Sequence, residues 1–170
     1  TNILHNYHVI VPDRPGFGWS YNNKDFSNIK EQSDILSELI FLPNNSEKVK
    51  LIWRSYAWAL LPYISSKYPD KIDSMTIIAG TMDANNQTIR KISYPLHYTW
   101  LKYIIPNMLR VTNAEKLSSI HQLNTLSWVW ENITIPVALI HWKKDRIVKI
   151  ENTYYAKKML INSPKVIIKI

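Results

Sequence analysis

The 170-residue sequence has no cysteine and only three glycines. The first absence excludes disulfides, thiolate nucleophiles and cysteine metal sites. No apolar run approaches the ~20 residues needed to cross a bilayer. The opening, TNILHNYHVIVPD, lacks the layout of a signal peptide, and a cytoplasmic location is the expectation. Thr1 leads almost at once into a strand-like segment, which leaves room for a natural N-terminus upstream. Internal repeats, low-complexity tracts and flexible linkers are missing too. The length suits one domain, which would bury roughly two-thirds of its extended surface. A hydrophobic fraction of 46% is ample for a core and excludes a disordered chain.

Acidic residues are outnumbered, 13 against 21 basic ones, for a formal charge of +8. Toward the C-terminus the basic residues are Lys143, Lys144, Arg146, Lys149, Lys157, Lys158, Lys165 and Lys169. They are spread over several elements, neither interleaved with aromatics along one groove nor gathered on one helix. The expected role is a solvated basic face, with no specific nucleic-acid partner.

The order of elements is more informative. Tyr7 to Val11 is a short β-branched run ended by Pro12-Asp13. Asn28-Ile29-Lys30-Glu31 reads as a capping box, with Ile29, Leu36, Leu39 and Ile40 at helical spacing and Pro43-Asn44-Asn45 as the stop. Val49 to Trp53 predicts a strand, Tyr56 to Lys67 a helix kinked by Pro62, and Ser74 to Ala79 a strand. Pro136 to His141 predicts another strand, Ile150 to Leu160 a helix, and Lys165 to Ile170 a last strand. Apolar strands alternating with helices indicate an α/β protein, with a mostly parallel sheet flanked by helices. Residues 83–132 depart from the alternation: they are rich in Asn, Tyr and Trp, with a helix predicted from Thr112, where Glu115 completes a capping box. The expected organisation is a first part of the α/β core over 1–82, a helical lid-like insertion over 83–132, and a second part of the core over 133–170.

Two short stretches carry chemistry. Val49-Lys50-Leu51-Ile52 runs into Trp53-Arg54-Ser55-Tyr56-Ala57, a serine placed between a predicted strand and a predicted helix. That is the context of the G-x-S-x-G elbow, whose strained turn holds a nucleophilic serine clear of the backbone. Trp53 and Ala57 stand where the elbow has glycine, and as a bare pattern WRSYA is an ordinary helix-start serine. The second stretch, His141-Trp142-Lys143-Lys144-Asp145, puts an aspartate just past the C-terminal end of a predicted parallel strand, where open α/β sheets build their sites. Asp145 there suits orienting an imidazole, or pairing in the loop with Lys143 or Arg146. Asp13, also at a strand end, is expected to serve its turn.

YHVIVPDRPGFGWS, KVKLIWRSYAWALLPYISSKYPDKIDSMTIIAG and IPVALIHWKKDRIVKI, taken in order and at their spacing, resemble the α/β-hydrolase family, in its serine esterase and haloperoxidase-like branch. The resemblance runs over nearly the whole chain apart from residues 83–132, which correspond in position to the variable lid. It implies Ser55 as nucleophile, Asp145 as triad acid and the Tyr56 backbone N–H as one oxyanion donor. The implied reaction is hydrolysis of a small-molecule carboxylic ester through an acyl-enzyme, with no metal or cofactor. Tyr94, Tyr98, Trp100, Tyr103, Trp128 and Trp130 would line an acyl pocket or form the lid's own core.

Three departures from the family pattern qualify this. The base histidine belongs after the last strand, and none of His5, His8, His97, His121 or His141 matches it. A strand ending in the second oxyanion donor belongs upstream of residue 1, between Tyr7–Val11 and Val49–Trp53; without it the sheet has a gap. The pattern is thus one of truncation at both ends, with a missing segment or a partner chain left to supply the strand and the base. Trp53, Trp58 and Trp142 fill glycine positions, for which overpacking or a shifted backbone is expected. The expectation is therefore a serine hydrolase impaired or inactive in this chain, or else a non-catalytic α/β-hydrolase-like protein serving as a binding or structural module.

Overall fold

A computed structural model describes residues 3–20, 26–42, 47–55, 59–87 and 89–170. Its centre is a parallel sheet of four strands in sequence order: β1 (Val49–Arg54), β2 (Ile72–Ile78), β3 (Val137–Ile140) and β4 (Val166–Lys169). The two central strands bury one face fully and cover much of the other, whereas β1 and β4 alternate half-buried with exposed residues. This is the burial expected of a sheet covered by crossover helices, with its edges less protected.

The helices are α1 (Ile29–Ser37), α2 (Leu60–Lys67), α3 (Ser93–Tyr98), α4 (Asn107–Thr125), α5 (Trp128–Glu131) and α6 (Glu151–Met159). The predicted cap of α1 forms: the Asn28 side chain accepts from the N–H groups of Lys30 and Glu31. The chain then tightens into a 3-10 turn over Glu38–Phe41, and the stop expected at Pro43-Asn44-Asn45 lies outside the described residues. Pro62 falls in the first turn of α2, where no intrahelical partner is required of its nitrogen, so it fits without the predicted kink. The start predicted for that helix, at Tyr56, also lies outside the described residues.

Two expectations are overturned. Tyr7 to Val11 forms no strand; its residues are exposed and irregular. A lone extended segment leaves its backbone groups to water, and among the described residues no strand pairs with it or with the outer edge of β1. The long helix of the 83–132 segment begins at Asn107, just after Pro106, rather than at Thr112. Thr112 lies inside it, donating its hydroxyl to the Met108 carbonyl at 2.8 Å, and Glu115 is used elsewhere.

The core gathers Leu60, Ile64, Ile72, Met75, Ile77, Val137 and Leu139 from the sheet and α2. It also takes in Leu123, Leu126, Val129 and Trp130 from the end of the 83–132 segment, with Ile133 just beyond it. Trp130 is 1% exposed. Each such side chain contributes about 1.5–3 kcal/mol through burial, so this half of the segment helps to hold the core together.

The other half is held by polar contacts. Arg14 reaches from the DRPGFG turn to Glu115 of α4, its Nη1 lying 2.5 Å from Oε1 and its Nη2 3.3 Å from Oε2. Gln32 of α1 donates to the same Glu115 oxygen at 2.8 Å and accepts from Arg14 at 3.1 Å. The side chain of Glu115 is 2% exposed and that of Arg14 15%. Arg14 also lies over the Phe17 ring, 4.2 Å from its centroid. Gly16, at φ +87°, lets the turn approach α4 so closely that an added methyl would meet Val111 at 3.2 Å. Gln122 continues the seam, accepting from Ile29 N–H and donating to the Ser27 carbonyl.

Candidate active site

The C-terminal ends of the four strands form one rim. Arg54 pairs with Ile78, Ile78 with Ile140, and Ile140 with Lys169. The ladder continues one step further: Ser55 N–H donates to Ile78 O, Ala79 N–H to Ile140 O and His141 N–H to Lys169 O, all within 2.8–2.9 Å. Ser55 therefore sits on the rim directly after β1, and the loop from His141 to Asp145 leaves the same rim two strands away. Two strand spacings amount to roughly 10 Å.

Ser55 is exposed, with φ +69°. A side-chain-bearing residue in that left-handed conformation costs about 1–2 kcal/mol. It persists here because Ile78 holds its N–H at 2.8 Å. Ala79, on the neighbouring strand end, is held at φ +47° in the same way. The residue types around Ser55 thus depart from the glycine pattern, while the Ser55 backbone itself is strained.

Trp53 does not disturb the ladder. It pairs in register with Ile77 and lies half-buried on the inner face of β1. Its burden is polar instead: the buried indole N–H finds no hydrogen-bond partner among the described residues. Such a donor costs about 1–3 kcal/mol. Trp142 avoids overpacking by turning out, 52% exposed, and Arg54 lies over its ring at 5.4 Å. Trp58, with the Tyr56 backbone N–H expected as oxyanion donor, lies outside the described residues.

Asp145 is held by its own loop. Its N–H donates to the Trp142 carbonyl, while its Oδ1 accepts from Ile147 N–H at 2.8 Å and Val148 N–H at 2.9 Å. The Val148 N–H lowers the carboxyl pKa most; partial burial opposes this, and Ile147 N–H, His141 and Arg54 add to the lowering. Asp145 is accordingly a carboxylate, pre-oriented by backbone, and neither Lys143 nor Arg146 forms an ion pair with it.

His141 has a role that its sequence position does not announce. It is 2% exposed; its Nε2 lies 2.9 Å from the Val148 carbonyl and its Nδ1 2.8 Å from Thr153 Oγ1. A carbonyl can only accept, so Nε2 carries a proton, and Nδ1 shares a hydrogen bond with the threonine hydroxyl. His141 thus ties the acid loop to α6 through the same residue, Val148, whose N–H holds Asp145. The signal was available as a histidine ending an apolar strand with a threonine twelve residues on, but nothing in the local pattern distinguishes a clasp from a ligand.

No histidine among the described residues hydrogen-bonds the Ser55 hydroxyl or the Asp145 carboxylate. His5, His8 and His121 are exposed, and His97 packs edge-on against Tyr98 with ring centroids 4.7 Å apart. Asp13 serves its turn, accepting from Trp19 N–H at 2.9 Å against Gly18 at φ +50°. Tyr94, Tyr98, Trp100 and Tyr103 are half or more exposed and so do not form a lid core; Trp128 is partly exposed and Trp130 belongs to the main core. A cleft of about 470 Å³ lies between Tyr63, Lys67, Trp128 and Asn132, and another of about 240 Å³ beside Asp13 and Leu36. Neither includes Ser55 or Asp145. Among the described residues no three His, Asp or Glu side chains are placed to share a metal ion.

Neither a protein-family model nor any curated protein sequence matches the chain. Solved structures do. The chain is similar to the monoacylglycerol lipase of Paleococcus ferrophilus at 18% identity, covering 93% of this chain and 71% of that one, with a TM-score of 0.67. A lipase-esterase related protein from Clostridium acetobutylicum superimposes at 18% identity, with 91% and 71% covered and a TM-score of 0.59. The 2-hydroxy-6-oxo-6-phenylhexa-2,4-dienoate hydrolase of Rhodococcus sp. strain RHA1 follows at 17% identity, with 90% and 69% covered and a TM-score of 0.60. At these identities the likeness is one of fold, and the fold is that of the α/β hydrolases.

Proposed function

We propose that this α/β-hydrolase-fold chain carries the nucleophile and acid positions of a serine hydrolase acting on a small-molecule carboxylic ester, with impaired turnover in the chain as it stands. Ser55 is the nucleophile, Asp145 the acid, and the Tyr56 backbone N–H a donor to the developing oxyanion. The observation that carries this reading is the Ser55 backbone. A strained φ of +69°, on the rim shared with the Asp145 loop, is what presentation of a nucleophile requires and what an ordinary helix-start serine avoids.

In the reaction the Ser55 oxygen attacks the ester carbonyl and its proton passes to a base. The tetrahedral intermediate collapses with expulsion of the alcohol, and water then releases the acid from the acyl-enzyme. Asp145, already ionised and held by two N–H groups, is suited to orient an imidazolium without taking its proton. No histidine among the described residues hydrogen-bonds Ser55 or Asp145, which supports slow turnover, since loss of a triad member removes most of the rate. The same observation favours a second reading, in which the chain is a non-catalytic binding or structural module, the base and a further strand being left to another segment or a partner chain. Stopped-flow release of nitrophenol from p-nitrophenyl acetate separates the two. Nitrophenol release that is accelerated by added imidazole and that S55A lacks supports the hydrolase; no release above S55A, with or without imidazole, supports the module.

A further inference from the structure

Four of the six residues expected to form a lid core, Tyr94, Tyr98, Trp100 and Tyr103, are on the outside, in a stretch of sequence whose charges are all of one sign. From Ile92 to Leu109 the chain exposes Tyr98, Trp100, Tyr103 and Ile104 by 65–75%, with Tyr94 and Met108 at least half exposed. These residues are not frayed. α3 packs on the 3-10 turn Trp100–Tyr103 and on α4, Asn113 of α4 donates to the Ser93 carbonyl at 2.8 Å, and Ser93 and Val111 are buried beneath. The inner side is therefore satisfied, and the exposed apolar and aromatic side chains are concentrated in one short, packed stretch.

Between Asp83 and Glu115 there is no acidic residue, while Arg90, Lys91 and Lys102 lie in the same stretch; Arg110 is part-buried and donates to Asn107 at 2.7 Å. The two flanking acids are both engaged: Asp83 caps the 3-10 turn Ala84–Asn86, and Glu115 is buried against Arg14. Lys102 holds its ammonium 5.0 Å from the Tyr103 ring. Tyr and Trp with aliphatic neighbours and basic flanks suit a water–hydrocarbon boundary lined with anions. A second copy of the same face would oppose like charges, and single-stranded nucleic acid would leave Ile104 and Met108 without a partner. No helix among the described residues is long and apolar enough to cross a membrane, so attachment would be peripheral.

We infer that the face over residues 90–110 docks on the surface of an anionic phospholipid bilayer. The inference is independent of turnover at Ser55. The test is co-sedimentation of the full chain with phosphatidylcholine vesicles, with and without phosphatidylglycerol. The expected result is sedimentation with the anionic vesicles only, weakened by salt. The doublet W100S/Y103S should abolish it, and each of R90E and K91E should weaken it about five-fold or more. I161S, at an exposed residue outside this segment, should have no effect. Circular dichroism verifies that each variant is folded. The inference is overturned if folded protein stays in the supernatant with anionic vesicles, or if W100S/Y103S sediments like the parent. It is equally overturned if the parent dimerises through this face, shown by a concentration-dependent sedimentation coefficient that W100S/Y103S removes.

Discussion

Glu115 is the most consequential buried charge in the described part of the molecule, and its removal gives a quantitative test of how the 83–132 segment is held. In E115A the Arg14 guanidinium keeps its position but loses both carboxylate contacts, and Gln32 loses one acceptor. Breaking one side of a buried pair costs about 3–5 kcal/mol. The Arg14 side chain is 15% exposed and can recruit some water, which lowers the expectation to about 2–4 kcal/mol. For a chain of this size each kcal/mol moves Tm by about 2–4 °C, so a fall of roughly 5–15 °C is expected in thermal unfolding followed by circular dichroism. E115Q, which keeps an acceptor for Gln32, should lose about half as much. The doublet R14M/E115L removes both charges and should recover most of the loss, because the ions' desolvation is no longer opposed by a missing partner. An E115A variant within about 0.5 kcal/mol of the parent would refute the reasoning, since surface substitutions give changes of that size.

Other consequences concern the rim. S55G relieves the left-handed strain and should stabilise the protein by about 0.5–1 kcal/mol after the entropy cost of glycine; a lower urea midpoint than the parent's would contradict the strained geometry. H141F leaves the Val148 carbonyl and the Thr153 hydroxyl without their partner and should cost about 2–4 kcal/mol in urea unfolding, whereas a loss below ~0.5 kcal/mol would show that His141 does not clasp the loop. Asp145 has a folded pKa below its unfolded value of about 4. Its contribution is therefore complete above about pH 4 and lost as pH falls through the folded pKa. D145N should flatten the parent's loss of stability below that pH, and an unchanged acid limb of the stability curve would count against the two N–H contacts.

Much of this was legible in the residues because it depends on local chemistry. The Asn28 cap, the apolar runs of β1 to β4 and the punctuation by Gly80 and Pro136 each act within a few residues. The rim position of Ser55 and Asp145 follows from them, since parallel strands align their C-terminal ends. What was not legible depends on distant partners. Tyr7 to Val11 has the composition of a strand, but a strand exists only where another supplies its hydrogen bonds, and none among the described residues does. Glu115 looked like the third residue of a capping box because nothing nearby revealed that Arg14, about a hundred positions earlier, would claim it. The aromatics of the 83–132 segment divide the same way. Trp130 goes to the core, where α5 packs on α2 and α6, and Trp100 to the surface, on a turn that packs on α3.

The central claim is that Ser55 is presented as a nucleophile. Reaction of the purified chain with a fluorophosphonate probe, followed by peptide mass spectrometry, tests it most directly, with S55A as the control. A single adduct is expected, on Ser55, that forms slowly in the chain alone, accelerates when imidazole is added to supply the base, and is absent from S55A. Folded protein in which Ser55 stays unmodified with and without imidazole would contradict it, and would leave the strained turn as a feature of the fold alone.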